Sequence, residues 1–169
     1  ARYSENDGAE SNCSPIASPS PTAGNHPPPG RRVAASAQKA RLYHSIALLL
    51  PDATVLVAGG GAPGPVTNLN AEIYYPPYLF KQDGSGTLAP RPTIVAAPAT
   101  IGTTATFDLT VGAGQQIGRV VLVHTGSSTH SFNPDQRRLE LAFTRSGDRL
   151  RVTAPTDRRL AIPGYYLLF

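Results

Sequence analysis

RLYHSIALLLPDATVLVAGGG, residues 41–61, is the stretch from which the fold can be read. Residues 45–50 are a short apolar run, Pro51-Asp52-Ala53 interrupts it, and residues 54–58 resume with β-branched side chains. Two apolar runs around a tight polar break predict a β-hairpin. The glycines at 59–61 follow the second strand directly, a position that suits positive φ or close backbone approach. Residues 71–75 (AEIYY) form a third strand candidate, stopped by Pro76-Pro77. Three such strands make up most of one propeller blade.

Downstream, strands are predicted at 93–96, 104–111, 117–124, 139–143, 150–153 and 165–169, separated by Gly, Pro and Asp turns. Short strands at this spacing suggest an immunoglobulin-like β-sandwich. No stretch sustains a helical period, and 16 Gly and 17 Pro among 169 residues interrupt helices wherever they fall. The predicted class is therefore all-β. Upstream, residues 1–38 are poor in large apolar groups and rich in Ser-Pro pairs, so they read as a disordered linker. The expected organisation is a 1–38 linker, a 39–85 blade and an 86–169 sandwich whose last strand is missing. With Ala1 at its start and no Met anywhere, the chain is expected to be a processed product or fragment. A blade without neighbours would leave strand edges open around Leu48 and Val55.

Charge excludes more than it assigns. The net charge is +4, carried by 13 Arg and 2 Lys that are scattered or paired rather than clustered. Nucleic-acid binding needs a basic patch with reading elements, and none is visible. No run approaches the ~18 apolar residues of a membrane span. Cys13 is the one cysteine, so no internal disulfide can form.

Four histidines remain as chemical candidates: His26 in the Pro-rich segment, His44 after Tyr43, His124 in a strand, and His130 in the loop GSSTHSFN at 126–133. Imidazole suits copper, zinc or iron, and His44 and His130 could meet only through the fold. Spacing alone specifies no metal.

Here a resemblance becomes specific. Arg41-Leu42-Tyr43-His44-Ser45 with the hairpin after it is similar to the last Kelch-type blade of the galactose oxidase/glyoxal oxidase family. Residues 71–80 (AEIYYPPYLF) resemble that family's exit from its propeller, and Arg91-Pro92 the opening of its early-set domain. Residues 126–138 (GSSTHSFNPDQRR) and 163–169 (PGYYLLF) resemble two further motifs, in the family's order.

The resemblance implies copper as the cofactor, with Tyr43, His44 and His130 as its ligands and Tyr43 as the base that takes a substrate proton. It implies oxidation of a primary alcohol, aldehyde or sugar with O2 to give H2O2, by a secreted, extracellular and monomeric parent. The family's Cys-Tyr radical cofactor is not assigned: no family motif surrounds Cys13, so this chain alone is expected to be inactive. Many members carry Arg where this chain has His124. His124 and Gln136 are expected to support the ligands rather than bind metal. The glycine usual after the turn aspartate is replaced by Ala53. The alternative is a non-catalytic β module for carbohydrate or protein binding, which would have no need of Tyr43, His44 and His130 together.

Overall fold

The computed structural model describes residues 13–16, 35–102, 105–130 and 132–169. Eleven strands and one 3-10 turn, Pro77–Leu79, make up its regular structure, so among the described residues the chain is all-β. No helix among them is long and apolar enough to cross a membrane. The chain divides into two units: residues up to Tyr78 with Thr129 and His130, and the remainder.

The first unit is a sheet of β1 (Cys13–Ile16), β2 (Ser45–Leu49), β3 (Val55–Gly59) and β4 (Ala71–Tyr74), in the order β1-β4-β3-β2. β2 and β3 form the predicted hairpin, Ser45 facing Gly59 and Leu49 facing Val55. Its turn is closed by Asp52, whose Oδ1 accepts from the Thr54 amide (3.0 Å) and hydroxyl (2.6 Å). Ala53 adopts φ 62° there. Two expectations change. Within the supposed linker, Cys13–Ile16 is a strand paired in parallel with β4, because the outer edge of β4 offers unpaired amides and carbonyls that a further strand satisfies. The remaining positions of that linker, apart from 35–38, lie outside the described residues, as does His26. Val55 is not at an edge, since β3 pairs on both sides, whereas Leu48 lies on the end strand β2.

The second unit is the predicted sandwich. One sheet has the order β5-β6-β10-β9, from Ile94–Ala96, Thr106–Val111, Arg149–Thr153 and Phe143–Ser146; the other has the order β11-β7-β8, from Tyr166–Leu168, Val120–His124 and Arg138–Leu141. β6 and β10 alternate strictly, Phe107, Leu109, Val111, Leu150 and Val152 pointing inward. They meet Val120, Leu122 and Leu141 from the other sheet in one apolar core. Leu150 and Val152 are 1% and 0% exposed, and full burial of such side chains stabilises by about 1.5–3 kcal/mol each.

The two units are held differently. All three buried polar side chains among the described residues, Thr54, Asn68 and Glu72, belong to the first.

Candidate metal centre

The chain enters β2 through a turn at residues 42–45, where the Ser45 amide donates to the Leu42 carbonyl at 3.1 Å. The segment after β3 is bonded to this turn residue by residue. The Gly61 amide donates to the Tyr43 carbonyl at 2.7 Å, and His44 Nδ1 donates to the Ala62 carbonyl at 2.9 Å. The approach requires glycine: at Gly60, φ 105°, a Cβ would lie 3.0 Å from the Leu42 nitrogen and 3.1 Å from its carbonyl oxygen.

This turn gathers three rings. The Tyr43 and His44 ring centroids are 3.7 Å apart, with the planes at 33°. The His130 ring lies 5.4 Å from Tyr43 and 5.3 Å from His44. Tyr43 is 50% exposed, and both histidines are exposed. Because a carbonyl only accepts, the Ala62 contact puts the proton of neutral His44 on Nδ1 and leaves Nε2 a lone pair. His130 Nδ1 meets the Thr129 hydroxyl at 2.7 Å, which restrains the ring while its Nε2 has no hydrogen bond among the described residues.

Three described non-glycine residues have positive φ: His44 at 65°, Ala53 at 62° and His130 at 51°. Left-handed backbone disfavours a side chain with Cβ, and such strain collects at functional sites. Two of the three strained residues are the candidate ligands. Among the described residues, no three or more His, Cys, Asp or Glu side chains are arranged so that they could together hold a metal ion. The groups brought together are instead two imidazoles and a phenol, and imidazole suits copper, zinc, iron or nickel.

Behind the exposed rings lies a buried anchor that sequence reasoning missed. Arg41 Nη1 donates to the Gly59 carbonyl (3.0 Å), the Asn70 carbonyl (3.2 Å) and Asn70 Oδ1 (3.1 Å), and Nη2 to Glu72 Oε1 at 2.9 Å. Glu72 is 0% exposed, and its other oxygen accepts from the Gln38 amide at 3.2 Å. A carboxylate in the middle of a short apolar strand, AEIY, was the available signal.

His124 and Gln136 belong to the other unit. Asp135 Oδ2 lies 2.9 Å from His124 Nδ1, and Arg137 pairs with the same carboxylate. The His124 Nδ1 also faces the Thr125 carbonyl at 3.0 Å, while its buried Nε2 has no partner. The ring packs edge-on against Tyr166 with centroids 4.7 Å apart, and Gly164 makes room, since a Cβ there would lie 2.4 Å from Nε2. Gln136 is exposed and takes no part in this arrangement.

In sequence and in fold the chain is similar to known oxidases. Residues 91–169 match the galactose oxidase-like early set domain. Galactose oxidase of Gibberella zeae is 38% identical over 132 residues, a match covering 76% of this chain and 19% of that protein. An aldehyde oxidase, GLOX, of Vitis pseudoreticulata is 33% identical over 145 residues, covering 76% of this chain and 27% of its own. A solved fungal alcohol oxidase of the AA5 family, in complex with copper, superimposes with a TM-score of 0.67 at 35% identity, covering 81% of this chain and 30% of that one. The chain thus spans between about a fifth and a third of these relatives.

Proposed function

This chain carries a galactose oxidase-like early-set domain and resembles the C-terminal region of galactose oxidase/glyoxal oxidase-type copper-radical oxidases, and from that premise we propose that it supplies three ligands of a copper centre. Tyr43, His44 and His130 are the proposed ligands, and residues 39–85 the Kelch-type blade that presents the first two. The observation that carries the reading is the ring cluster itself: one phenol and two imidazole rings with centroids within 5.4 Å of one another, both histidines in strained backbone.

In this reading His44 and His130 bind through Nε2, their Nδ1 atoms being engaged by Ala62 and Thr129. Bound copper would supply a Lewis acid that acidifies a substrate hydroxyl and accepts an electron in its oxidation. Held by copper as its phenolate, Tyr43 would accept the substrate hydroxyl proton, and its half-exposed side chain leaves it open to a small substrate. His124, paired with Asp135, is proposed to have a structural role in its own unit rather than to bind metal. The reaction proposed for the whole protein is oxidation of a primary alcohol, aldehyde or sugar by O2 with release of H2O2, outside the cell and as a monomer. The radical-bearing tyrosine of the resembled oxidases is not among the residues assigned, so the proposal for this chain is the copper-binding part of the centre.

A Cu(II) titration followed by EPR, run beside His44→Ala and His130→Ala, tests the ligand set. One-to-one binding with nitrogen hyperfine structure, lost in each variant, is the expected result. Binding that survives both substitutions would overturn the assignment. Failure of the unaltered chain to bind Cu(II) at all would favour the non-catalytic module.

A further inference from the structure

Tyr43 and His44 are exposed, and their rings meet each other, His130 and the Ala62 carbonyl rather than a core, so their placement leans on the backbone beneath. That backbone is fastened at each step. The Ala40 carbonyl accepts from Asn68 Nδ2 at 2.7 Å, Leu42 closes the turn onto Ser45, and the Tyr43 carbonyl accepts from Gly61. Between them Arg41 is the one side chain of the segment turned inward, its side chain 10% exposed against a Glu72 side chain 1% exposed. Its guanidinium reaches the end of β3 at Gly59 and the entry to β4 at Asn70 and Glu72, and so bolts the ligand turn to two strands at once.

Resting on the copper reading above, we propose that Arg41 and Glu72 are positioning residues for the metal site: the buried pair fixes residues 40–44 so that the His44 Nε2 and the Tyr43 ring are presented in one geometry. The forked shape is essential to this role. Lys keeps the charge but, as a point donor, cannot hold Gly59, Asn70 and Glu72 together. Glu72→Gln keeps an acceptor for the Gln38 amide yet removes the charge opposite Arg41.

The Gly59 end of β3 and its Thr54 end give an internal control. Thr54 is buried and bonds Asp52 at the far end of the hairpin, so Thr54→Val perturbs the same sheet away from the rings. The test measures Cu(II) affinity of the full chain by chelator competition and its EPR hyperfine pattern, with thermal melting as the fold control. Arg41→Lys and Glu72→Gln are each expected to weaken Cu(II) binding by about tenfold or more and to alter the nitrogen hyperfine pattern, whereas Thr54→Val lowers the melting temperature with both readouts unchanged. Unaltered affinity and spectrum in Arg41→Lys and Glu72→Gln, beside loss of binding in His44→Ala, would overturn the positioning role and leave the copper reading standing. An equal loss in Thr54→Val would also overturn it, because general destabilisation would then explain the effect. Copper binding indifferent to His44→Ala would sink the ligand assignment and the positioning role with it.

Discussion

At Ala53 the chain takes φ 62° to close the β2–β3 turn, a backbone in which Cβ crowds the neighbouring carbonyl at a cost of roughly 1–2 kcal/mol. Glycine removes that crowding and loses somewhat more chain entropy on folding. Ala53→Gly is therefore expected to stabilise the chain by about 1 kcal/mol, read as a higher denaturant midpoint at unchanged slope; a lower midpoint would show that the turn carries no such strain. This residue was legible beforehand, because Pro-Asp between two apolar runs demands a turn. The same conformation at His44 and His130 was not legible, since nothing about an imidazole announces its φ. Those histidines were found by motif resemblance, and only the fold reveals that both are strained. Arg41 was quoted in that motif without a role, because a buried guanidinium and a solvated one look alike in sequence.

Among the elements, strands were read where one face is apolar. β6 and β10 alternate cleanly and were found within two residues. β9, Phe143–Ser146, was missed because Thr-Arg-Ser faces solvent and gives no apolar period. β1 was missed because the surroundings of Cys13–Ile16 are compositionally those of a linker, while its pairing is to the backbone of β4. Across β6 and β10, Asp108 faces Arg151 in register, with paired bonds of 2.6 and 3.0 Å. The hydrogen bond from Arg151, with its charge, holds the Asp108 carboxyl below its ordinary value of 3.8. A carboxyl depressed in the folded state contributes stability that is present above its unfolded value and lost as pH falls through the folded one. Asp108→Asn should thus be less stable than the unaltered chain at neutral pH, and the gap should close as pH drops below 3.8. Unfolding curves across that range check it; a gap independent of pH would mean that the ion pair is not its source.

At the scale of the whole molecule, two modes of stabilisation coexist. The sandwich rests on its apolar core, and Leu150→Ala is expected to cost about 2–5 kcal/mol, measured by denaturant unfolding. A cost under about 1 kcal/mol would indicate a core that relaxes freely around the change. The β1–β4 unit rests on polar bonds, with Thr54, Asn68 and Glu72 inside it. In both units arginine meets carboxylate: Arg41 in the first, and Arg137, Arg138, Arg151 and Arg159 in the second, each pair with an Asp or Glu side chain. Strain at the two histidines bears on how such a gene ages. Under the ligand assignment proposed above, a duplicate copy released from metal binding would gain stability by replacing His44 and His130 with residues at ease in left-handed backbone, glycine or asparagine, and His to Asn is a single-base change. In such a lineage both ring positions would erode before the sandwich core does, leaving a well-folded domain without its ring cluster.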